Sequence, residues 1–365
     1  MKCKICLTRE ATKKNSHLIT WSLIKEVVNQ PGFKERGYDV TFAISTIQTP
    51  KVHIGRKVLP SHIEEILGAP LSDDATEKIT DFFSREYIFC PECEDDIGRL
   101  ENEFVDKVYQ KLNNTSRNDF VHDSKGNKVI RLTEYESKVT YLLAYSIFFR
   151  TSVGKLNNFT LDAKLEEQLR GCLFPVLTNN VEKLRDNINQ LQSDYFKHPL
   201  VFSYLETKIG NESLENLVLQ HRSRMPNFLL ANRLVFELYQ KKGHISASTE
   251  YLFGFSQMMD AKEFIPEESG FRMKVCILSD VKRSKLVYNT LQFLAKTNMH
   301  NAKMFFKLAC NKKYGRSPTF VEIGLFAFYY SEIVTQKKEQ DIKSVYIQSF
   351  ARVFNINLSN EAEEA

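Results

Sequence analysis

Cys90-Pro91-Glu92-Cys93-Glu94-Asp95-Asp96-Ile97-Gly98-Arg99-Leu100-Glu101 is the stretch on which the reading of this chain turns. It opens as a Cys-x-x-Cys knuckle and continues as a helix. Pro91 stands where a first helical turn accepts proline, and Ile97, Leu100, Phe104, Val105 and Val108 recur on one face. A matching knuckle, Cys3-Lys4-Ile5-Cys6, lies at the N-terminus. Two such pairs present four thiolates, the donor set of a tetrahedral structural zinc. The pairs are far apart in sequence, so one ion holding both closes a long loop and adds folding free energy on the order of 10 kcal/mol. A four-cysteine site has no open coordination position, so any reaction needs other groups nearby.

Outward from the knuckles, Ser16-His17 precedes an apolar run at helical spacing that ends at Pro31-Gly32. Tyr38–Ile44 alternates like a strand, and residues 45–80 read as loop with short helical pieces. Residues 1–112 are expected to form one module, residues 113–130 a polar linker, and residues 131–365 a mainly helical region. Thr133 and Glu136 have the spacing of a capping box and lead into Val139–Phe149, apolar nearly all round and so expected at the centre of a helical domain. Leu161–Leu173, Val181–Phe196, Arg283–Thr297, Ala302–Cys310, Thr319–Thr335 and Ile342–Phe354 read as helices; Leu200–Leu205, Leu229–Leu238 and Met273–Leu278 read as strands. The expected class is α+β, predominantly helical with a small sheet.

Composition sets outer bounds. Of 365 residues, 42% are hydrophobic and 26% charged, which is ordinary for folded domains and excludes a disordered chain. No apolar run approaches the roughly 20 residues needed to span a bilayer, and the N-terminus lacks a secretory apolar core. The expectation is a cytoplasmic protein with no membrane partner. Cys172, Cys276 and Cys310 stand singly in apolar surroundings and read as core filler. The net charge is +5, but residues 1–60 carry eleven Lys and Arg against four Asp and Glu. Such a patch suits a phosphate backbone, or is simply a solvated face. The basic runs Lys312–Arg316 and Arg222-Ser223-Arg224 carry the same two readings.

Cys3, Cys6, Ser16-His17-Leu18-Ile19, Cys90, Cys93-Glu94 and Leu100-Glu101-Asn102 together resemble the HNH (ββα-metal) nucleases, in particular a zinc-knuckle bacterial subgroup. Phe148-Phe149-Arg150-Thr151-Ser152 is similar to a helix end of the same subgroup. The resemblance covers the first third of the chain and this one helix. It implies a zinc-stabilised ββα-metal module that hydrolyses phosphodiesters, with DNA ahead of RNA as substrate, in a setting such as bacterial defence against phage. Carried over by position, His17 is the general base, and Glu94 and Glu101 face it from the helix two turns apart. The chain departs from the family in having Ser16 before the histidine, no histidine on the helix and no Asn just before Cys90. A catalytic ion would then be held by carboxylates, which favours magnesium or manganese. The bland reading has His17 as a cap and Glu94 and Glu101 as helix-surface charges. The alternative function is a non-catalytic zinc-stabilised protein that binds nucleic acid or another protein. Residues 131–365 are assigned to substrate, an oligomer partner or an effector.

Overall fold

The computed structural model describes residues 1–20, 23, 40–45, 48–54, 83–114, 120–156, 159–206, 217–222, 226–231, 233–247, 258–266, 270–336 and 342–354. The chain divides into two compact units, Met1–Asn289 and Thr290–Ala365. The class is α+β, with a cysteine cluster near the N-terminus. Among the described residues no helix is long and apolar enough to cross a membrane.

Among the described residues, the first unit is built on two sheets. A small one pairs β1 (Ser16–His17) with β4 (Ser84–Arg85) antiparallel. The other has nine strands in the order β3-β2-β8-β9-β10-β7-β11-β6-β5. Its members are β2 (Val40–Ser45), β3 (Gln48–Ile54), β5 (Val121–His122), β6 (Lys128–Arg131), β7 (Leu200–Leu205), β8 (Leu217–Arg222), β9 (Asn227–Ala231), β10 (Leu234–Leu238) and β11 (Lys274–Leu278). Only β2–β8 and β7–β11 run parallel. β7 reads Leu-Val-Phe-Ser-Tyr-Leu and is buried at all six positions, as a strand covered on both faces must be.

One face of this sheet shares a core with four helices: α1 (Pro91–Phe104), α3 (Glu134–Val153), α4 (Ala163–Leu173) and α5 (Val181–Gln190). A π-helical turn, Val105–Tyr109, continues α1 into α2 (Gln110–Asn114). α3 has the expected capping box: Glu136 N–H donates to Thr133 Oγ1 at 3.2 Å and Thr133 N–H to Glu136 Oε2 at 2.7 Å. Residues 137–152 of α3 are all buried, which is the physical meaning of a helix without a polar face.

Several expectations shift. The region read as a linker, 113–130, carries the edge hairpin β5–β6, and it lies within the first unit because α1 and α3 contribute to one core. The segment 229–238 is a hairpin, β9 and β10, rather than one strand. Gln48–Ile54, read as loop, is a strand on the edge of the large sheet. The apolar run after Ile19 lies outside the described residues, apart from Leu23.

The second unit holds part of α7 (Asp280–Tyr314) together with α8 (Phe320–Gln336) and α9 (Ile342–Val353). Ala302, Phe306, Cys310, Phe326, Tyr330, Ile333 and Val345 form its core, with Phe306 and Phe326 stacked at 4.4 Å. The two helices expected at 283–297 and 302–310 are one, because no proline or glycine interrupts the chain between them.

Candidate metal centre and the histidine strand

The two knuckles fold against each other through their backbones. Cys3 N–H donates to Arg9 O at 2.8 Å and Leu7 N–H to Cys3 O at 3.0 Å, closing the first turn. Leu7 takes φ 59° to do so, a left-handed conformation that costs a leucine roughly 1–2 kcal/mol. Lys4 N–H then bonds Ile88 O at 3.0 Å and Lys13 N–H bonds Phe89 O at 3.1 Å, laying the first turn beside the second. Cys90 caps α1 and Cys93 sits in its first turn.

Cys3, Cys6, Cys90 and Cys93 are all buried, and their sulfurs lie within 4.8 Å of one another. A zinc ion with bonds of about 2.3 Å sets its sulfurs about 3.8 Å apart, so this arrangement fits the ion. The Cys3 thiol is held well below its usual range, chiefly by its hydrogen bond with Cys93. Four thiolates around a divalent ion leave a net charge of −2, and Arg9 answers it: its Nη2 donates to Cys93 Sγ at 3.7 Å. Arg170 Nη1 donates to Ile5 O at 3.0 Å, tying the knuckle to α4.

The same clamp positions His17. β1 pairs Ser16 with Arg85 and His17 with Ser84, so His17 lies in a strand rather than at a helix cap. Ser16 is fully buried and His17 half-buried. Across from this strand runs α1. Burial pushes the Glu94 carboxyl above its usual range, and Arg150, the Ser16 hydroxyl and the His17 backbone partly offset the rise. Glu101 accepts from Arg150 Nη2 at 2.5 Å. The same guanidinium donates through Nη1 to His17 O at 2.8 Å and through Nη2 to Thr20 Oγ1 at 3.4 Å. Arg150 is 1% exposed and fastens the histidine strand to the acidic helix. Gly154, just past α3, lets the strand approach: a Cβ there would stand 2.3 Å from Leu18 Cδ2.

Three buried polar atoms in this neighbourhood, Ser16 Oγ, Glu94 Oε2 and Arg150 Nε, close no hydrogen bond of ordinary geometry, although the Ser16 hydroxyl stands close enough to Glu94 to stabilise its charge. Such orphans are uncommon in folded proteins and point to a missing partner. The fit to a carboxylate-bound ion is nonetheless incomplete. Among the described residues, the cysteines are the only set of three or more His, Cys, Asp or Glu whose ligand atoms converge.

His17 and Glu94 are thus neighbours, whereas Glu101 reaches the strand only through Arg150. Arg150 and Arg9 carry roles that spacing alone did not assign. A cation ending an otherwise apolar helix was the available signal for Arg150, because a charge is rarely buried without a partner. The basic N-terminal patch is partly spoken for. Lys2 pairs with Glu10 at 3.0 Å and Lys13 stands 3.8 Å from Asp95, while Lys25, Lys34, Arg36, Arg56 and Lys57 lie outside the described residues. In the run Lys312–Arg316, Arg316 grips Glu322 at 2.6 and 2.9 Å and so braces the start of α8. No family model, curated protein or solved structure matches the chain.

Proposed function

We propose that the N-terminal module is an HNH-type (ββα-metal) nuclease centre that hydrolyses nucleic-acid phosphodiesters, in a cytoplasmic setting such as defence against phage. The observation that carries this reading is the buried Glu94 carboxyl beside the Ser16 hydroxyl and the His17 backbone, with Glu94 Oε2 and Ser16 Oγ closing no hydrogen bond of ordinary geometry. In this reading the four cysteines hold structural zinc and supply no chemistry. His17 takes the proton from the attacking water, a task suited to an imidazole near neutral pH. Glu94, with Ser16 beside it, would hold a magnesium or manganese ion, which would supply polarisation of the scissile phosphate. Glu101 acts through Arg150 to hold the histidine strand in place.

A second reading has its own support. Glu101 is committed to Arg150, and no second ligand set converges among the described residues. Both facts favour a non-catalytic zinc protein that binds nucleic acid or a protein partner. One experiment separates the two. Purified protein and its His17→Ala variant are incubated with plasmid DNA and with RNA in Mg²⁺ or Mn²⁺, and zinc content is measured for both. Cleavage by the parent alone, at equal zinc content, supports the nuclease. Identical behaviour of the two proteins supports the binding role.

A further inference from the structure

At the opposite end of α3 from Arg150 lies a cavity of about 560 Å³ lined by Arg131, Glu134, Ile265, Arg272, Met273 and Lys274. Arg131 and Lys274 are direct cross-strand partners in the β6–β11 ladder. Like charges in that position repel and are normally avoided. Arg272 adds a third cation two residues before Lys274. None of the three cationic side chains forms a hydrogen bond or ion pair with a described residue. Among the described residues the one carboxylate on the cavity wall, Glu134, is held by Lys138 at 2.7 Å. A second cavity of about 400 Å³ shares Ile265 with the first, and Asp194, Lys197 and Lys242 stand on its wall.

The geometry points to a binding site for a small ligand carrying two or more phosphate groups. Its volume lies in the range of small-molecule pockets, roughly 300–1,000 Å³. Two guanidinium groups offer forked donors that match phosphate oxygens, and Lys274 adds a point charge. Ile265 and Met273 give an apolar wall for the body of the ligand. A bound polyanion removes the repulsion between Arg131 and Lys274, which otherwise has no structural benefit. Convergence of the cations in one hollow, rather than along a stripe, favours a compact anion over a nucleic-acid backbone. The cavity sits sixteen residues of helix from Arg150, about 24 Å at 1.5 Å per residue. It is therefore separate from the histidine strand, and its test does not depend on nuclease activity.

Titration calorimetry of the full-length protein with inorganic pyrophosphate, sulfate and a 12-base-pair DNA duplex provides that test, with thermal unfolding followed in parallel. Pyrophosphate is expected to bind one per chain and raise the unfolding midpoint. Arg272→Gln and Lys274→Gln are each expected to weaken it about ten-fold or more, since each removes a charged hydrogen bond. Both positions are at least partly exposed, so the variants keep their fold, which circular dichroism checks. No binding at millimolar pyrophosphate, equal affinity for sulfate, or unchanged affinity in both variants overturns the proposal. Duplex binding that is lost in the variants, without pyrophosphate binding, also overturns it and hands the hollow to nucleic acid.

Discussion

At the C-terminal end of α3, Arg150 is buried and its two Nη atoms are divided among a carboxylate, a carbonyl and a hydroxyl. At the N-terminal end, Arg131, Arg272 and Lys274 line a hollow whose one described carboxylate, Glu134, pairs with Lys138 rather than with any of them. At the first end the Arg150 charge has its counter-ion within the chain, although Nε closes no hydrogen bond, so this pair serves to hold elements together. The second is incomplete, and its charges raise the energy of the folded chain unless something outside it binds. The same helix therefore carries one end whose substitution should damage the fold and another whose substitution should damage binding alone.

Removing the zinc clamp is the strongest way to break the first end, because the two knuckles hold the turns that lead into β1 and α1 beside each other. Chelation or Cys93→Ser should release one zinc per chain and unfold the module, an effect on the scale of 10 kcal/mol. Metal analysis and circular dichroism read it directly. A parent protein that purifies without zinc and still folds would remove the clamp from the account.

Arg150→Met comes next. It leaves the mostly buried Glu101 carboxylate without its partner, and breaking a buried pair costs up to about 3–5 kcal/mol. The double variant Arg150→Met/Glu101→Leu should recover much of that loss, because removing both charges also removes the desolvation cost of each. Denaturant unfolding of the three variants gives the coupling. Additive losses would mean that Arg150 and Glu101 act independently.

A buried charge with no cation at all offers a third case. Glu237 in β10 lies 1% exposed, with Oε1 unpartnered and Oε2 accepting from the Tyr239 hydroxyl at 3.3 Å. Burial pushes its carboxyl up to about 8. The folded chain therefore keeps a proton that the unfolded chain releases near pH 4.5, so stability falls as pH rises from there to about 8 and levels off above. Glu237→Gln should flatten that slope by a few kcal/mol across the window. Unchanged pH dependence would show that Glu237 has a partner in solution.

These three cases also show which parts of the molecule were legible in the sequence. The sulfur clamp was, because Cys-x-x-Cys spacing encodes its geometry locally. His17 and Glu94 were placed in one neighbourhood by the same knuckles. The nine-stranded sheet was not. β2 pairs with β8, whose residues lie far along the chain, and no local pattern announces a partner so distant. β5 has two exposed residues, Val121 and His122, too few to alternate visibly. Arg150 entered the sequence reading only within a helix end of the resemblance, and only packing reveals that it is interior.

Lys274→Gln gives the smallest effect and the sharpest contrast between the two ends. Removing one of two opposed cations should stabilise the free protein by about 0.2–1 kcal/mol, the size of a cross-strand charge pair. The sign is opposite to that of Arg150→Met, although both replace a cation on or beside the same helix. The gain should be clear at low ionic strength and fade at 1 M salt, where the screening length is about 3 Å. Pyrophosphate should reverse the order, stabilising the parent above the variant. Thermal unfolding at two salt concentrations, with and without pyrophosphate, tests all of this. If Lys274→Gln destabilises the free chain at low salt, Lys274 has a partner, and the two ends of α3 treat charge alike.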